Sequence, residues 1–294
     1  MRSRSRWAPS AEPKVAGILY VVATPIGNLE DISLRALRIL GEVSLIAAED
    51  TRSIRHLLDH HRIPAPKIVS YFQGNEAARS DDLVARVAGG EKIALVSEAG
   101  TPGISDPGER VIAAMREAGQ RVEVIPGAAA VITALVGSGL PTGRFLFIGF
   151  PPRVSGERQR MFGSLRGEPG TLVFYEAPGR VGDTLADLAA AFGGDRRAEV
   201  ARELTKMFEE RIAGSLAELM SRFASEAPRG ECVILVHGAV AAEEEPAIDI
   251  EADVRARLAR GESCKELAAA LSLLTGRKRR EIYQLAVAIR GSAD

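Results

Sequence analysis

Three apolar runs, each followed by a turn rich in glycine and proline, constrain what this chain can fold into. ILYVV precedes the turn at 23–31, KIALV precedes SEAGTPGISDPGE at 97–109, and VEVI precedes PGAAA at 126–130. Runs of β-branched residues that lead into helix-forming stretches are typical of buried parallel strands. Such strands build open α/β sheets, which bind ligands beyond the carboxyl ends of the strands. The three turns therefore predict a ligand site.

The order of strand-like and helical stretches predicts two α/β lobes. Over residues 17–126, apolar strand-like runs alternate with amphipathic helical stretches, which indicates a mostly parallel sheet covered on both faces. Residues 127–240 contain four further strand-like runs: FLFIGF, TLVFY, AEVAREL and ECVILV. Proline and glycine at 140–144 mark the crossing into this second lobe. One large continuous α/β domain is the alternative.

The two ends of the chain depart from this pattern. Residues 1–16 contain several arginines and no apolar core, so we expect a disordered basic arm, or a leader without a structural role. Residues 241–250 form an acidic linker. In residues 251–294, two apolar sets at helical spacing predict a small unit of two or three helices. These sets are Leu267, Leu271 and Leu274, followed by Ile282, Leu285 and Ile289.

Composition excludes several classes of protein. Hydrophobic residues make up 46% of the chain and charged residues 26%, as in ordinary globular proteins. The longest weakly polar stretch, 125–141, is interrupted by glycines and prolines, so we expect no transmembrane helix. The two cysteines lack metal or redox spacing, which favours a reducing cytoplasm. His56, Asp59 and His60 have the spacing of metal ligands on a helix, but without a further ligand we predict no metal site.

Eight segments in a fixed order carry a family resemblance: ATPIGNLEDIS, AEDTR, SYFQGNE, SEAGTPGISDPG, IPGAAAVITAL, GLPT, GTLVFYEAPGR and ARELTK. Together they resemble the bacterial ribosomal RNA small subunit methyltransferase I family of the tetrapyrrole methylase superfamily, from about Gly17 to Gly238. The resemblance implies a two-lobed tetrapyrrole-methylase-like α/β fold with a small C-terminal helical unit. S-adenosyl-L-methionine would bind between the lobes. The implied reaction is 2′-O-methylation of a cytidine in the decoding region of 16S ribosomal RNA, cytidine 1402.

The same resemblance implies the partners and the residues that hold the cofactor. The partners are ribosomal RNA or the small ribosomal subunit, and a second copy of the chain in a homodimer. The methionine and ribose portions would lie against Ser97, Gly100, Thr101, Ile104 and Asp106. Gly127 and Ala129 would line the cleft, and Tyr175 and Leu204 would close over the adenine. Asp106 has an alternative role as the cap of the helix that follows it.

Methylation of a hydroxyl also needs a proton acceptor. Glu49 and Asp50 follow the apolar run VSLIAA, so we expect both at the carboxyl end of a strand beside the cleft. A carboxylate about 3 Å from the hydroxyl could take its proton, which makes these two residues the candidate general bases. Asp50 could instead hold Arg52, which would then position the ribose. The charged residues of ARELTK are expected to form an ion-pair network.

Candidate RNA contacts lie in four parts of the chain. Asn75 and Glu76 follow a strand that ends in Tyr71 and Phe72, one of which should be buried, and aromatic rings and amides suit unpaired bases. Glu76 could instead stabilise the first turn of a helix. The arginines Arg52 and Arg144 are also candidates. The cluster Arg277, Lys278, Arg279 and Arg280 could bind phosphates or form a solvated turn.

The sequence leaves two other functions open. One is another methyltransferase of the superfamily, acting on a tetrapyrrole or a protein residue. The other is a non-catalytic RNA-binding or ribosome-assembly factor. The sequence lacks GxxxxGK[ST], a GxGxxG after the first strand, GxSxG and HExxH, so kinase, dehydrogenase, hydrolase and zinc-peptidase functions have no carrier.

Overall fold

A computed structural model describes residues 17–224, 227–239, 250–275 and 277–291. The chain divides into two compact units, Met1–Ala239 and Val240–Asp294. The predicted basic arm, 1–16, lies outside the described residues, as does the predicted acidic linker except for its last residue, which begins a helix. No helix in the described ranges is long and apolar enough to cross a membrane.

The first sheet of the larger unit is fully parallel, as the alternation of strands and helices predicts. Its strands are β1 Ile18–Val22, β2 Leu45–Ala48, β3 Lys67–Ser70, β4 Lys92–Val96 and β5 Arg121–Ile125. They lie in the order β3-β2-β4-β1-β5, and each neighbouring pair is parallel. The turns that follow β1, β2, β4 and β5 therefore meet at one edge of the sheet.

Helices cover both faces of this sheet. They are α1 Leu34–Glu42, α2 Thr51–His60, α3 Glu76–Ala88 and α4 Glu109–Glu117. The helices α1 and α2 pack on one face, where Leu40 and Leu58 are fully buried. The helices α3 and α4 pack on the other, around Leu83 and Met115. Burial on both faces explains why the strands read as continuous apolar runs rather than alternating ones.

The second sheet is mixed. Its strands are β6 Phe145–Gly149, β7 Thr171–Glu176, β8 Arg197–Arg202, β9 Glu210–Ser215 and β10 Cys232–Val236. They lie in the order β6-β7-β10-β8-β9, with β6 and β7 parallel and the remaining pairs antiparallel. Strand β9 was not predicted from the sequence, because ERIAGS is a charged edge strand with one buried residue, Ile212. Charged residues on an edge discourage pairing with other chains.

The two faces of the second sheet carry different layers. The helices α6 Ser155–Ser164, α7 Val181–Phe192 and α8 Leu216–Phe223 pack on one face around Phe162 and Phe174. The helix α5 Ala130–Gly137 packs on the other face, against Val173 and Leu235. Ile26, from the turn after β1, belongs to this second cluster, so α5 lies where the two sheets meet.

Side chains of the second sheet satisfy both ends of α5. The Tyr175 hydroxyl accepts a hydrogen bond from the Val131 amide at 3.0 Å. Arg211 donates to the carbonyls of Thr133 and Ala134 at 3.1 and 3.2 Å, and it pairs with Glu199. Because unpaired helix ends are costly when buried, these bonds fix α5 against the sheet.

The smaller unit contains α9 Ile250–Ala259, α10 Cys264–Thr275 and α11 Arg279–Gly291. Leu267, Leu271 and Ile282 are buried in its core, and Leu285 and Ile289 pack against it, which confirms the predicted helical faces. The side chain of Leu274 lies outside the described residues. The four cations of the predicted basic turn are exposed before and within the first turn of α11.

A buried ion pair joins α6 to α7. Arg158 and Asp187 are almost fully buried, and Asp187 also accepts hydrogen bonds from Ser155 and Gln159. Burial by itself would raise the pKa of Asp187, but these hydrogen bonds and the Arg158 guanidinium hold that pKa below its usual value. Ionised Asp187 therefore stabilises the fold at pH values above the pKa that its carboxyl has in the unfolded chain. This contribution is lost as the pH falls below about 4.

Asp187→Ala should lower the free energy of unfolding by about 3–5 kcal/mol, because it leaves Arg158 buried without its counter-charge. Urea unfolding followed by circular dichroism measures this. The matched control is Glu42→Ala, which breaks the exposed pair of Arg38 and Glu42 and should change stability by no more than about 0.5 kcal/mol. Equal effects of the two substitutions would contradict the structural role of Asp187.

Candidate active site

A cleft of about 370 Å³ opens at the edge where the turns of the first sheet meet. The first sheet contributes turn residues after β1, β2, β4 and β5, and the second contributes residues of β7, β10 and the loops after β6, β7 and β8. This volume is typical of small-molecule sites. Eight of the predicted site residues line it: Glu49, Gly100, Thr101, Ile104, Asp106, Ala129, Tyr175 and Leu204.

Main-chain hydrogen bonds hold the central turn in place. The Thr24 amide donates to the Gly100 carbonyl at 2.8 Å, and the Gly100 amide donates back to the Thr24 carbonyl at 3.1 Å. Gly100 has φ of +80°, a conformation that favours glycine. The Thr101 hydroxyl donates to the Ala128 carbonyl at 3.2 Å, which joins the turn to the one after β5. The turns after β1, β4 and β5 thus form one rigid wall of the cleft.

Two predicted cofactor residues support this wall rather than line the cleft. Ser97 is buried, and its hydroxyl lies 3.3 Å from the carbonyl of Gly100. A Cβ on Gly127 would lie 2.9 Å from the Cβ of Ala23, too close for an ordinary contact. Gly127 is therefore needed for the close approach of two turns.

Asp106 lies in the cleft and forms no ion pair with any described residue. Burial, together with the negative charge of Glu49, raises the pKa of Asp106 to about 7, although a hydrogen bond with Ser97 opposes this. The alternative role as a helix cap is wrong. The cap position of α4 is Gly108, and no side chain bonds to the first turn of that helix. Asp106 is thus available to a ligand.

The two candidate bases occupy different environments. Glu49 lines the cleft, where its carboxylate accepts a hydrogen bond from the Glu98 amide at 3.2 Å, and burial raises its pKa. Asp50 caps α2 instead, accepting from the Arg52 amide at 2.7 Å and pairing with the Arg52 guanidinium at 2.8 Å. The side-chain hydrogen bond from Arg52 is the main reason why the pKa of Asp50 falls to about 2. Asp50 is therefore the weaker base.

Tyr175 and Leu204 form the wall on the second sheet. The Tyr175 hydroxyl is bonded to α5, and burial raises its pKa to about 12. Leu204 is only 6% exposed. The charged residues beside it form the predicted ion-pair network, in which Lys206 contacts Glu203 at 2.9 Å and Glu231 at 3.2 Å.

Two predicted RNA contacts are engaged in the fold. Glu76 opens α3, and its carboxylate accepts hydrogen bonds from the Tyr71 hydroxyl and the Gly108 amide, both at 3.1 Å. Asn75 bonds to the backbone of Ser70 and Phe72. Neither residue lines the cleft, and Glu76 instead fixes the end of the central turn. Tyr71 is buried and Phe72 is exposed, as the sequence predicts for such a pair.

Arg144 and Arg52 are exposed cations that do not line the cleft. Arg144 pairs with Glu168 at 3.1 Å and is two-thirds exposed. Arg52, paired with Asp50, is 88% exposed. Phe150, which lines the cleft at the end of FLFIGF, was not predicted as a site residue. That run reads as an ordinary core strand, and only the Pro-Pro pair that follows it marks a turn.

The titration of Asp106 tests the electrostatics of the cleft. Its carboxyl carbon should titrate near pH 7 in nuclear magnetic resonance spectra, with Asp106→Asn identifying the signal. Glu49→Gln should lower that pKa, because it removes a neighbouring negative charge. Since the folded protein raises this pKa, ionisation of Asp106 should destabilise the fold as the pH rises from about 4 to 7. A midpoint near pH 4 would show that the carboxyl is hydrated.

Comparison with known proteins agrees with this geometry. The family model of the tetrapyrrole (corrin/porphyrin) methylases matches residues 18–220. A protein from Pseudomonas aeruginosa named ribosomal RNA small subunit methyltransferase I is 46% identical, over 95% of this chain and 99% of its own. A protein of the same name from Synechocystis is 44% identical, over 92% of this chain and 98% of its own.

Solved structures share the fold at low sequence identity. Uroporphyrin-III-C-methyltransferase from Thermus thermophilus matches 75% of this chain and 94% of its own with a TM-score of 0.55 at 20% identity. Cobalt precorrin-4 methyltransferase matches 78% of this chain and 98% of its own with a TM-score of 0.57 at 14% identity. One structure of the Thermus enzyme contains S-adenosyl homocysteine, the product left when S-adenosylmethionine has given up its methyl group. The chain is a methyltransferase dependent on S-adenosylmethionine, and it belongs to the ribosomal RNA small subunit methyltransferase I family of the tetrapyrrole methylases.

Proposed function

We propose that this chain transfers a methyl group from S-adenosylmethionine to the 2′-hydroxyl of a cytidine in the decoding region of small-subunit ribosomal RNA, cytidine 1402. The observation that carries the proposal is an acidic cleft at the strand ends, in a chain whose relatives of nearly equal length are named for this RNA. The competing members of the fold, such as uroporphyrin-III-C-methyltransferase, are only about 20% identical.

The residues of the cleft fit the cofactor. Carboxylates of Glu49, Glu98 and Asp106 line the cleft, and no lysine, arginine or histidine does so among the described residues. A cationic sulfonium and amino group would offset the burial of these charges. Gly100, Thr101, Ile104, Asp106 and Ala129 would hold the polar portion, and Tyr175 and Leu204 would cover the adenine.

Glu49 is the best-placed proton acceptor. Bound S-adenosylmethionine supplies an activated methyl group. The chain must then align the ribose oxygen behind that methyl group and remove one proton as the oxygen–carbon bond forms and the sulfur–carbon bond breaks. Glu49 lies in the cleft with a raised pKa, which suits a group that accepts a proton at neutral pH. Asp50 would instead hold Arg52 beside the acceptor.

Exposed cations of the smaller unit support RNA binding. Arg277, Lys278, Arg279 and Arg280 are all exposed in the smaller unit. Such clusters supply affinity for phosphate without base selectivity. We also propose a homodimer. Exposed apolar side chains on α5 and in the loop between β8 and β9 support this, notably Val136 at 70% and Met207 at 90% exposure.

The function is tested by mass mapping of ribosomal RNA from cells with and without this gene. We expect one cytidine in the decoding region to be lighter by about 14 Da in the deletion strain, because its 2′-oxygen then carries a hydrogen in place of a methyl group. Purified protein should restore the mass on unmethylated small subunits when S-adenosylmethionine is added. Methyl transfer to a tetrapyrrole instead of to small subunits would favour the other methylases of the fold. A protein that binds RNA but does not bind S-adenosylmethionine would favour an assembly factor.

Glu49→Gln should slow single-turnover methyl transfer by about 10²- to 10⁴-fold, because it removes the proton acceptor and keeps its size. The rate of this variant should recover as the pH rises, since hydroxide then replaces the lost base. Asp50→Asn is the matched control, because asparagine caps a helix about as well as aspartate, so this variant should keep its stability and show no such recovery of rate with pH. Calorimetry must show that both variants bind S-adenosylmethionine. A Glu49→Gln rate within threefold of wild type would rule out this base.

A further inference from the structure

An aromatic ring stands exposed at the rim of the cleft. Phe150 lines the cleft although 56% of the residue is exposed. Ile104, 41% exposed, lines it from the first sheet. A Cβ on Gly149 would lie 3.1 Å from the hydroxyl oxygen of Ser105, so the two segments adjoin. The rim therefore combines an exposed aromatic side chain of one sheet with an exposed aliphatic side chain of the other.

The backbone that follows Phe150 is fixed from one side by Arg180. Its guanidinium donates to the carbonyls of Pro151 and Pro152 at 2.9 and 3.1 Å. Arg180 is held in turn by the fully buried carboxylate of Glu176 at 3.2 Å. Two consecutive prolines also restrict this backbone.

A second arginine, Arg158, is buried and fixes the same stretch of backbone. Arg158, paired with Asp187, donates to the carbonyls of Pro152 and Arg153 at 3.3 and 3.2 Å. The arginines of the two ion pairs thus donate hydrogen bonds to three consecutive carbonyls. Burying an ion pair is costly unless its hydrogen bonds are satisfied. These bonds hold the backbone at 151–153, directly after Phe150 in the sequence GFPPR.

The Phe150 ring itself contacts the Tyr175 ring edge to face, with centroids 5.7 Å apart, so its side chain loses less entropy on stacking than an unrestrained ring would. Aromatic rings stack on unpaired bases regardless of base identity. Arg153 is exposed three residues further on and forms no ion pair in the part of the chain that the structure describes. A guanidinium in that position suits an RNA phosphate.

Phe150 and Ile104 lie at an exposed part of the cleft, where a macromolecule can reach them. Other lining residues of the second sheet are buried, with Leu204 at 6%, Cys232 at 3% and Val233 at 4% exposure, and these suit a small ligand. We propose that Phe150 stacks on the base of the acceptor nucleotide and that Arg153 contacts an adjacent phosphate. This inference rests on the proposed function and identifies the part of the site that receives the RNA.

Phe150→Leu tests the stacking, because it keeps an apolar side chain and removes the aromatic face. With unmethylated small ribosomal subunits as substrate, we expect the KM for subunits to rise about tenfold to hundredfold. Affinity for S-adenosylmethionine, measured by calorimetry, should stay unchanged. Phe150→Tyr should restore the wild-type KM. The matched control is Phe145→Leu at the start of β6, an exposed position outside the cleft, which should leave the KM unchanged.

Fluorescence separates stacking on RNA from stacking on the cofactor. Trp7 is the only tryptophan in the sequence. A Trp7→Phe, Phe150→Trp double variant therefore places the sole indole at the rim. Saturating S-adenosyl homocysteine should leave its emission unchanged. Strong quenching by that ligand alone would place residue 150 on the cofactor and overturn the proposal.

The outcomes also separate this inference from the proposed function. If wild-type protein methylates small subunits and Phe150→Leu does so with an unchanged KM, only the stacking role is overturned. If wild-type protein transfers no methyl group to small subunits, the proposed function is overturned and the acceptor role of Phe150 with it. A raised KM that Phe150→Tyr restores supports both.

Discussion

The cleft depends on the pair of main-chain hydrogen bonds between Thr24 and Gly100. These bonds join the turns after β1 and β4, two adjacent parallel strands whose own ladder has already ended. Gly100 can take part because its positive φ turns the backbone back toward β1. The residues that follow, Thr101 and Asp106, are directed into the cleft from this anchor. Without it, the central turn would be a long loop free to adopt many conformations.

Electrostatics then decides what the cleft can bind. The described lining residues include several carboxylates and no basic side chain, so their negative charges are unfavourable when buried together. A cationic ligand would offset this unfavourable electrostatic energy. The raised pKa of Asp106 expresses that cost, since the protein prefers to keep the carboxyl neutral until a cation arrives. The same environment keeps Glu49 more basic than an exposed carboxylate. One physical condition would thus favour both the binding of a cationic donor and the acceptance of a proton by Glu49.

The second sheet supplies the parts of the site that the first cannot. Tyr175 lines the cleft, and its hydroxyl accepts a hydrogen bond from the Val131 amide at the start of α5. The position of this side of the cleft and the position of the helix are therefore coupled. Arg211 satisfies carbonyls of the same helix. Buried ion pairs are weak sources of stability on balance. Those of Arg158 and Arg180 act chiefly by specifying the conformation of the backbone beside Phe150.

The amino-acid sequence was enough to predict the parallel first sheet, the two helical faces of the smaller unit and the three turns at which the cleft opens. These follow from local hydrophobic periodicity and from turn chemistry, which act over a few residues. Order and identity of the motifs also determined the family, which the relatives of similar length confirm.

Only the tertiary structure decided which polar side chains face the cleft. Glu49 and Asp50 are neighbours in sequence, yet one lines the cleft and the other caps a helix, because neighbouring side chains at a strand end point in different directions. Glu76 became a tie between two turns when the fold brought Gly108 within hydrogen-bonding distance. The edge strand β9 and the rim position of Phe150 depend on contacts between residues far apart in the chain. Such long-range contacts leave no periodic trace in a single sequence.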